Sequence, residues 1–190
     1  LANLVAGYYR RSGEKSAFHP VTRLDRDTFG IVLLAKNAHL HALLQDAPVK
    51  KTYHALTFGG PNADTGIIDA PIARLPLPSL LRQVSPEGKP SVTEFEVLHR
   101  DGQICKLALR PVTGRTHQLR LHLSAIGHPL LGDWLYGQED RALIPRPALH
   151  SHRLELTHPV TRRRLTVTAP LPEDMARLRA GMNVECRVKY

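Results

Sequence analysis

The 190-residue chain carries 26 Lys+Arg against 17 Asp+Glu, a formal net charge of +9 and a pI near 10.0. Hydrophobic residues make up 42% of it, enough for one domain with a core and against intrinsic disorder. No apolar run approaches the roughly 20 residues that span a bilayer, Leu1–Arg10 lacks the charged region and long apolar core of a signal peptide so that none is expected, and two cysteines (Cys105 and Cys186) argue against a disulfide scaffold and fit a reducing cytoplasm. Arg outnumbers Lys 19 to 7, and guanidinium forks bind phosphate in pairs of hydrogen bonds, so the charge points to a polyanion such as nucleic acid.

In chain order, Leu1–Arg11 has helical spacing, and Ile31–Ala35 reads as a buried strand. Asn37 is an N-cap for a helix carrying Leu40, Leu43 and Leu44. Thr52–Phe58 alternates as a strand that Gly59-Gly60-Pro61-Asn62 ends, and Leu75–Ser79 is a loop. Ser91–Arg100 and Ile104–Arg110 flank Asp101-Gly102, a hairpin signal. Thr116 is expected to cap a helix over His117–Ile126 that stops at Gly127. Leu149–Leu156 and Leu165–Ala169 form a second strand pair around the turn His158–Arg164, and Pro172 opens a last helix that Gly181 closes. Hairpins dominate and no βαβ rhythm appears, so the fold class is α+β with a mostly antiparallel sheet in one domain, 1–190.

Eleven histidines do not make a metal site. His117 and His122 stand about 140° apart on a helix, His39 and His41 diverge, and His150 and His152 share a strand face without a third ligand. No GxxxxGK[ST] loop or GxSxG elbow is present. Glu94 and Glu96 read as a solvated strand face. Three polar clusters remain. Arg23-Leu24-Asp25-Arg26-Asp27-Thr28 is a charged turn ahead of a strand, with Gly30 to tighten it. Thr113–Arg120 brings a Gly-bearing loop into a helix start, where Arg120 lies on a polar line with His117 and Ser124, and Leu119, Leu123 and Ile126 form an apolar stripe. Lys51–Leu56 places Tyr53 on a strand. From spacing alone, each cluster also fits a plain surface or core role.

Together, RLDRDTFG (Arg23–Gly30), KTYHAL (Lys51–Leu56), GRTHQLRLH (Gly114–His122) and IGHPLLGDWLYG (Ile126–Gly137) resemble the RluA family of pseudouridine synthases. Ala148–His150 and His158-Pro159 add to the likeness, which runs from about Phe18 to Asp174. The resemblance implies the pseudouridine-synthase fold and a cofactor-free isomerisation of uridine in ribosomal or transfer RNA, with the base flipped out of its stack. A metal-free, cytoplasmic monomer is expected. The same resemblance implies that Asp25 is the essential carboxylate, by attack at C1′ or C6 or by removal of a ribose proton. It implies that Arg120 pairs with Asp25, and that Tyr53 stacks on the ring and takes the C5 proton. Arg23, Arg115 and Arg26 are the expected RNA contacts; Arg162–Arg164 fit an exposed turn. A catalytically silent RNA-binding protein is the alternative.

The sequence departs from the family at Thr22, where a His is common, and at Phe29, where a small Ser is common and where altered packing under the catalytic loop is expected. An Asn-Lys-Pro strand that normally precedes this region is lacking, so the expectation is a catalytic domain without the family's N-terminal segment and without an S4 domain.

Overall fold

A computed structural model describes residues 1–76, 79 and 81–180. Its helices are α1 (Ala2–Ser12), α2 (Ala38–Gln45), α3 (Gln118–Ala125) and α4 (Glu173–Ala180). Its strands are β1 (His19–Pro20), β2 (Phe29–Gly30), β3 (Leu34–Ala35), β4 (Val49–Phe58), β5 (Thr65–Asp69), β6 (Ile72–Arg74), β7 (Arg82–Val84), β8 (Val92–Asp101), β9 (Ile104–Pro111), β10 (Leu149–Thr157) and β11 (Arg164–Thr168).

The main sheet runs β11-β10-β4-β9-β8-β5, with every pair antiparallel; β2 adds to β10 in parallel. This is the α+β, mainly antiparallel architecture that the hairpin signals predict. Ala55 and Leu56 are neighbours on β4 and therefore face opposite sides, yet neither is exposed at all. Both faces of the sheet are consequently covered. Leu119 and Leu123 of α3 join Tyr53, Ala55, Leu107 and Leu109 in one core, as the helical stripe predicts. Met175 and Leu178 of α4 join Leu56, Leu131 and Ile144 in another. Each fully buried leucine contributes about 1.5–3 kcal/mol through surface removed from water.

Asn37 caps α2 as expected, its side chain accepting from the Leu40 amide at 2.8 Å. Two local expectations are corrected. Ile31–Ala35 is not one buried strand. Gly30, at φ 117°, ends the short pairing with β10, and the chain then bends so that the Val21 and Thr22 amides both donate to the Leu33 carbonyl. Only Leu34–Ala35 pairs again, with His19–Pro20, and of the five residues only Ala35 is fully buried. Thr116 is not the cap of α3. The cap position falls one residue later, at His117, which is left-handed at φ 58° and makes no side-chain cap bond.

The expected stop of α4 at Gly181 lies outside the described residues, as do Cys186 and part of the loop Leu75–Ser79. Among the described residues no helix is long and apolar enough to cross a membrane.

Candidate active site

Strand register brings the Asp25 turn and the Tyr53 strand together. Gly30 of β2 pairs with Ser151 of β10, and Ser151 pairs with Tyr53 of β4. A Cβ on Gly30 would overlap the Ser151 backbone, so glycine is needed for this close approach as well as for its positive φ. The turn that holds Asp25 is thereby laid beside Tyr53. The Thr28 amide donates to the Asp25 carbonyl at 3.1 Å and closes that turn. Thr22, in the place of the common family His, is buried and accepts from the Leu33 amide at 2.9 Å, fixing the segment on its other side.

Asp25, Tyr53, Arg23, Lys51 and Arg115 line one cavity of about 270 Å³. Arg115 also borders a second cavity of about 500 Å³, whose far wall is the β6–β7 hairpin with Arg74 and Arg82. Arg26 does not line either cavity; its side chain is 89% exposed and faces Asp27 at 4.0 Å. Arg162–Arg164 lie in an exposed turn leading into the edge strand β11.

The loop before α3 is pinned by Gln118. Its side-chain oxygen accepts from the Thr113 hydroxyl (2.8 Å) and the Arg115 amide (3.0 Å), and its nitrogen donates to the Val92 carbonyl (2.9 Å). His122 is fully buried between the Thr93 hydroxyl and the Ala70 carbonyl, a structural role.

Arg120 departs from the expected pairing with Asp25. Its Nε and Nη2 donate to the two carboxylate oxygens of Asp133 at 2.8 and 2.6 Å, and neither side chain is more than 2% exposed. The reason is local. Asp133 sits in a turn where its Oδ1 also accepts from the Leu135 and Tyr136 amides, so its carboxylate is already fixed, while Asp25 lies in a turn open to the cavity. Burial works against the Arg120 charge, but the bonds and charge of Asp133, with Asp25 further out, outweigh it and raise the guanidinium's pKa. Asp25 therefore acts on Arg120 through its field and not through a direct bond.

Burial raises the Tyr53 phenol's pKa, a bond with Ser151 pulls it back, and the Asp25 charge raises it further. Tyr53 is a neutral phenol at neutral pH. Burial lowers the pKa of Lys51. Phe29 does not pack under the catalytic turn. It is 51% exposed, with the Arg146 guanidinium 4.1 Å from its ring centroid.

Lys51 lines the cavity, while Arg120, Asp133, Tyr136 and His117 do not line it but form one bonded group that the Asp25 charge reaches; of these, sequence reasoning gave Lys51, Asp133 and Tyr136 no role. The signal was present in KTYHAL and GDWLYG, but their partners are far away along the chain. Among the described residues no group of three or more His, Cys, Asp or Glu is placed to hold a metal.

A family model described as RNA pseudouridylate synthase matches residues 2–125. The chain is 43% identical over 187 residues to the uncharacterized RNA pseudouridine synthase YjbO of Bacillus subtilis, covering 96% of this chain and 66% of that protein. It is 42% identical over 170 residues to ribosomal large subunit pseudouridine synthase D of Nitrosomonas europaea, covering 83% of this chain and 49% of that protein. The chain thus spans about half to two thirds of these curated relatives. The solved structure of human RNA pseudouridylate synthase domain containing 1 superposes with a TM-score of 0.73 at 29% identity, over 88% of this chain and 73% of that one. With the family model matching well over half of the chain and relatives more than 40% identical to it, the chain belongs to the RluA-type RNA pseudouridylate synthase family.

Proposed function

We propose that this protein isomerises uridine to pseudouridine at specific sites in structured RNA, ribosomal or transfer RNA. The observation that carries the reading is the convergence of Asp25 and Tyr53 on one Arg-rimmed cavity, with the Arg120 guanidinium behind it. The reaction breaks the bond from N1 to C1′, forms one from C5 to C1′, and moves one proton from C5 to N1. It is redox-neutral. Asp25 supplies the carboxylate that frees the base, at C1′, at C6 or by taking a ribose proton. Tyr53 backs the ring with its aromatic face, and its phenol oxygen is the group to which the C5 proton moves. As a neutral phenol it must pass its own proton on as it does so. A uracil stacked in RNA cannot reach such a cavity, so the nucleotide is flipped out. Arg23 and Arg115 on the cavity wall, and Arg26 further out, hold the RNA phosphates.

Among the residues lining the cavity Asp25 is the one carboxylate, which disfavours a two-carboxylate glycoside hydrolase. The alternative is a silent RNA-binding protein of the same fold. Incubation of wild type and Asp25→Asn with uridine-labelled total RNA separates the two. The expected result is pseudouridine from wild type, none from the variant, and RNA affinity within a few-fold. Equal product from both overturns the role of Asp25; no product from folded wild type on any RNA supports the silent binder.

A further inference from the structure

Gly132–Gly137 (GDWLYG) carries the side chain that the reaction scheme leaves without a task. Tyr136 is held from its own backbone on two sides. Its amide donates to Asp133 Oδ1 at 3.1 Å, and its carbonyl accepts from the Ser124 hydroxyl of α3 at 2.6 Å. So anchored, its ring lies beneath Arg120, whose guanidinium carbon is 5.4 Å from the ring centroid. Its hydroxyl reaches two further elements. It accepts from the Arg82 amide of β7 at 3.0 Å and lies 2.9 Å from Nδ1 of His117. With one lone pair taken by Arg82, the oxygen still has its proton and a second lone pair for His117 Nδ1, and the imidazole tautomer sets which of the two donates. His117 is one of three non-glycine residues at positive φ among the described residues, and its ring meets the Tyr136 ring edge-on at 5.6 Å between centroids. A left-handed backbone at a non-glycine residue is uncommon and persists where its surroundings hold it.

We propose that Tyr136 is a positioning residue for the isomerisation: its hydroxyl ties the β6–β7 hairpin to His117 at the head of α3, and its ring backs Arg120, so the seating of the hairpin sets where Arg120 stands relative to Asp25. The hairpin is also the far wall of the second cavity, which shares Gly114, Arg115 and Thr116 with the catalytic one. RNA lying along that wall is thereby connected to the catalytic loop through one hydroxyl. This inference rests on Asp25 and Arg120 being the active groups.

The link holds in either protonation state of His117: a neutral Nδ1 can accept from the hydroxyl, and a protonated Nδ1–H donates to it. Burial lowers the His117 pKa; Asp25 from the turn after β1 and Asp133 from its own turn push it up, while Arg120 of α3 and Arg82 of β7 push it down.

The test uses single-turnover kinetics on a uridine-containing RNA at pH 7.5. Tyr136→Phe keeps the ring under Arg120 and removes the hydroxyl. Its rate at pH 7.5 is expected to fall about 10- to 100-fold, since displacements near 1 Å cost that much. RNA affinity, measured with Asp25→Asn added to both forms, is expected to stay within about twofold, on the same reasoning that positioning acts on the chemical step. His117→Gly tolerates the left-handed backbone but has no ring nitrogen to bond the hydroxyl, and should fall as far as Tyr136→Phe. His117→Asn also tolerates it and presents a polar group near the place of Nδ1, so it should recover most of the loss. If Tyr136→Phe does not fold, the two His117 variants carry the test. A wild-type rate in Tyr136→Phe and His117→Gly overturns the proposal while leaving Asp25 untouched. An inactive wild type overturns the active-site reading and this inference together.

Discussion

Arg120 and Asp133 form a bidentate ion pair, with Nε to Oδ2 at 2.8 Å and Nη2 to Oδ1 at 2.6 Å, and both groups are withdrawn from water. This pair, and not a direct bond to Asp25, is what orients the guanidinium near the cavity that Asp25 and Tyr53 line. It takes up one edge of the fork and leaves Nη1 outside the pairing.

Asp133→Asn therefore leaves a buried guanidinium without its counter-charge. Breaking a buried pair on one side costs about 3–5 kcal/mol. For a chain of this length that is a fall in Tm of about 6–20 °C, measurable by calorimetry. A loss under about 1 kcal/mol would show that the pair is far weaker than its burial implies.

Tyr53→Phe separates the two tasks given to that ring. Stacking survives, and the route for the C5 proton is lost. RNA binding should persist while pseudouridine formation falls about 10²–10⁴-fold, the usual weight of a positioned acid or base. A tritium-release assay from C5-labelled uridine reads the step directly. A variant within threefold of wild type, well under that usual weight, would remove the phenol oxygen from the mechanism.

His54 makes the fold sensitive to acid. Its ring stacks on His152 at 4.0 Å between centroids, and its Nδ1 is buried without a hydrogen-bond partner. Burial first, then His152, Lys106 and His150, lower its pKa from 6.5 to about 4. The unfolded chain takes up a proton near pH 6.5 and the folded one only near 4, so this stability is complete above pH 6.5 and lost as pH falls toward 4. Because the ring is partly solvated, the screened loss is about 1–2 kcal/mol. Urea midpoints at pH 7 and pH 4.5 should differ in that sense in wild type, and by less in His54→Gln.

Two glycines of the family motifs should respond differently to alanine. Gly30→Ala meets both a positive φ of 117° and the Ser151 backbone, and should cost about 2–4 kcal/mol while displacing the Asp25 turn. A Cβ on Gly114 meets nothing within 4 Å, so Gly114→Ala should leave Tm within about 3 °C, the small effect of a compatible site. Equal Tm losses would mean that the Gly30–Ser151 approach is not what holds the turn.

Much of this molecule was legible in its sequence, because it is written in local patterns. The Asp101-Gly102 hairpin, the Asn37 cap and the Leu119/Leu123 stripe each depend on residues a few places apart, and each is found as expected. The motif set named the family, and Asp25 and Tyr53 do line one cavity. Ile31–Ala35 misled because an apolar run reads as a strand whichever neighbours it meets, and here Thr22 and Gly30 divide it. The partner of Arg120 was out of reach for a different reason. A sequence shows that a buried guanidinium needs a carboxylate, but Asp25 lies 95 positions away and Asp133 only 13, and the choice between them depends on which turn presents its oxygens into the core. Charge and motifs carry the family, because both are written in residue types and short spacings. Packing decided which groups meet: Gly30 on Ser151 beside Tyr53, Asp133 on Arg120, and Tyr136 between β7 and His117, contacts made across strands and turns that only the folded chain brings together.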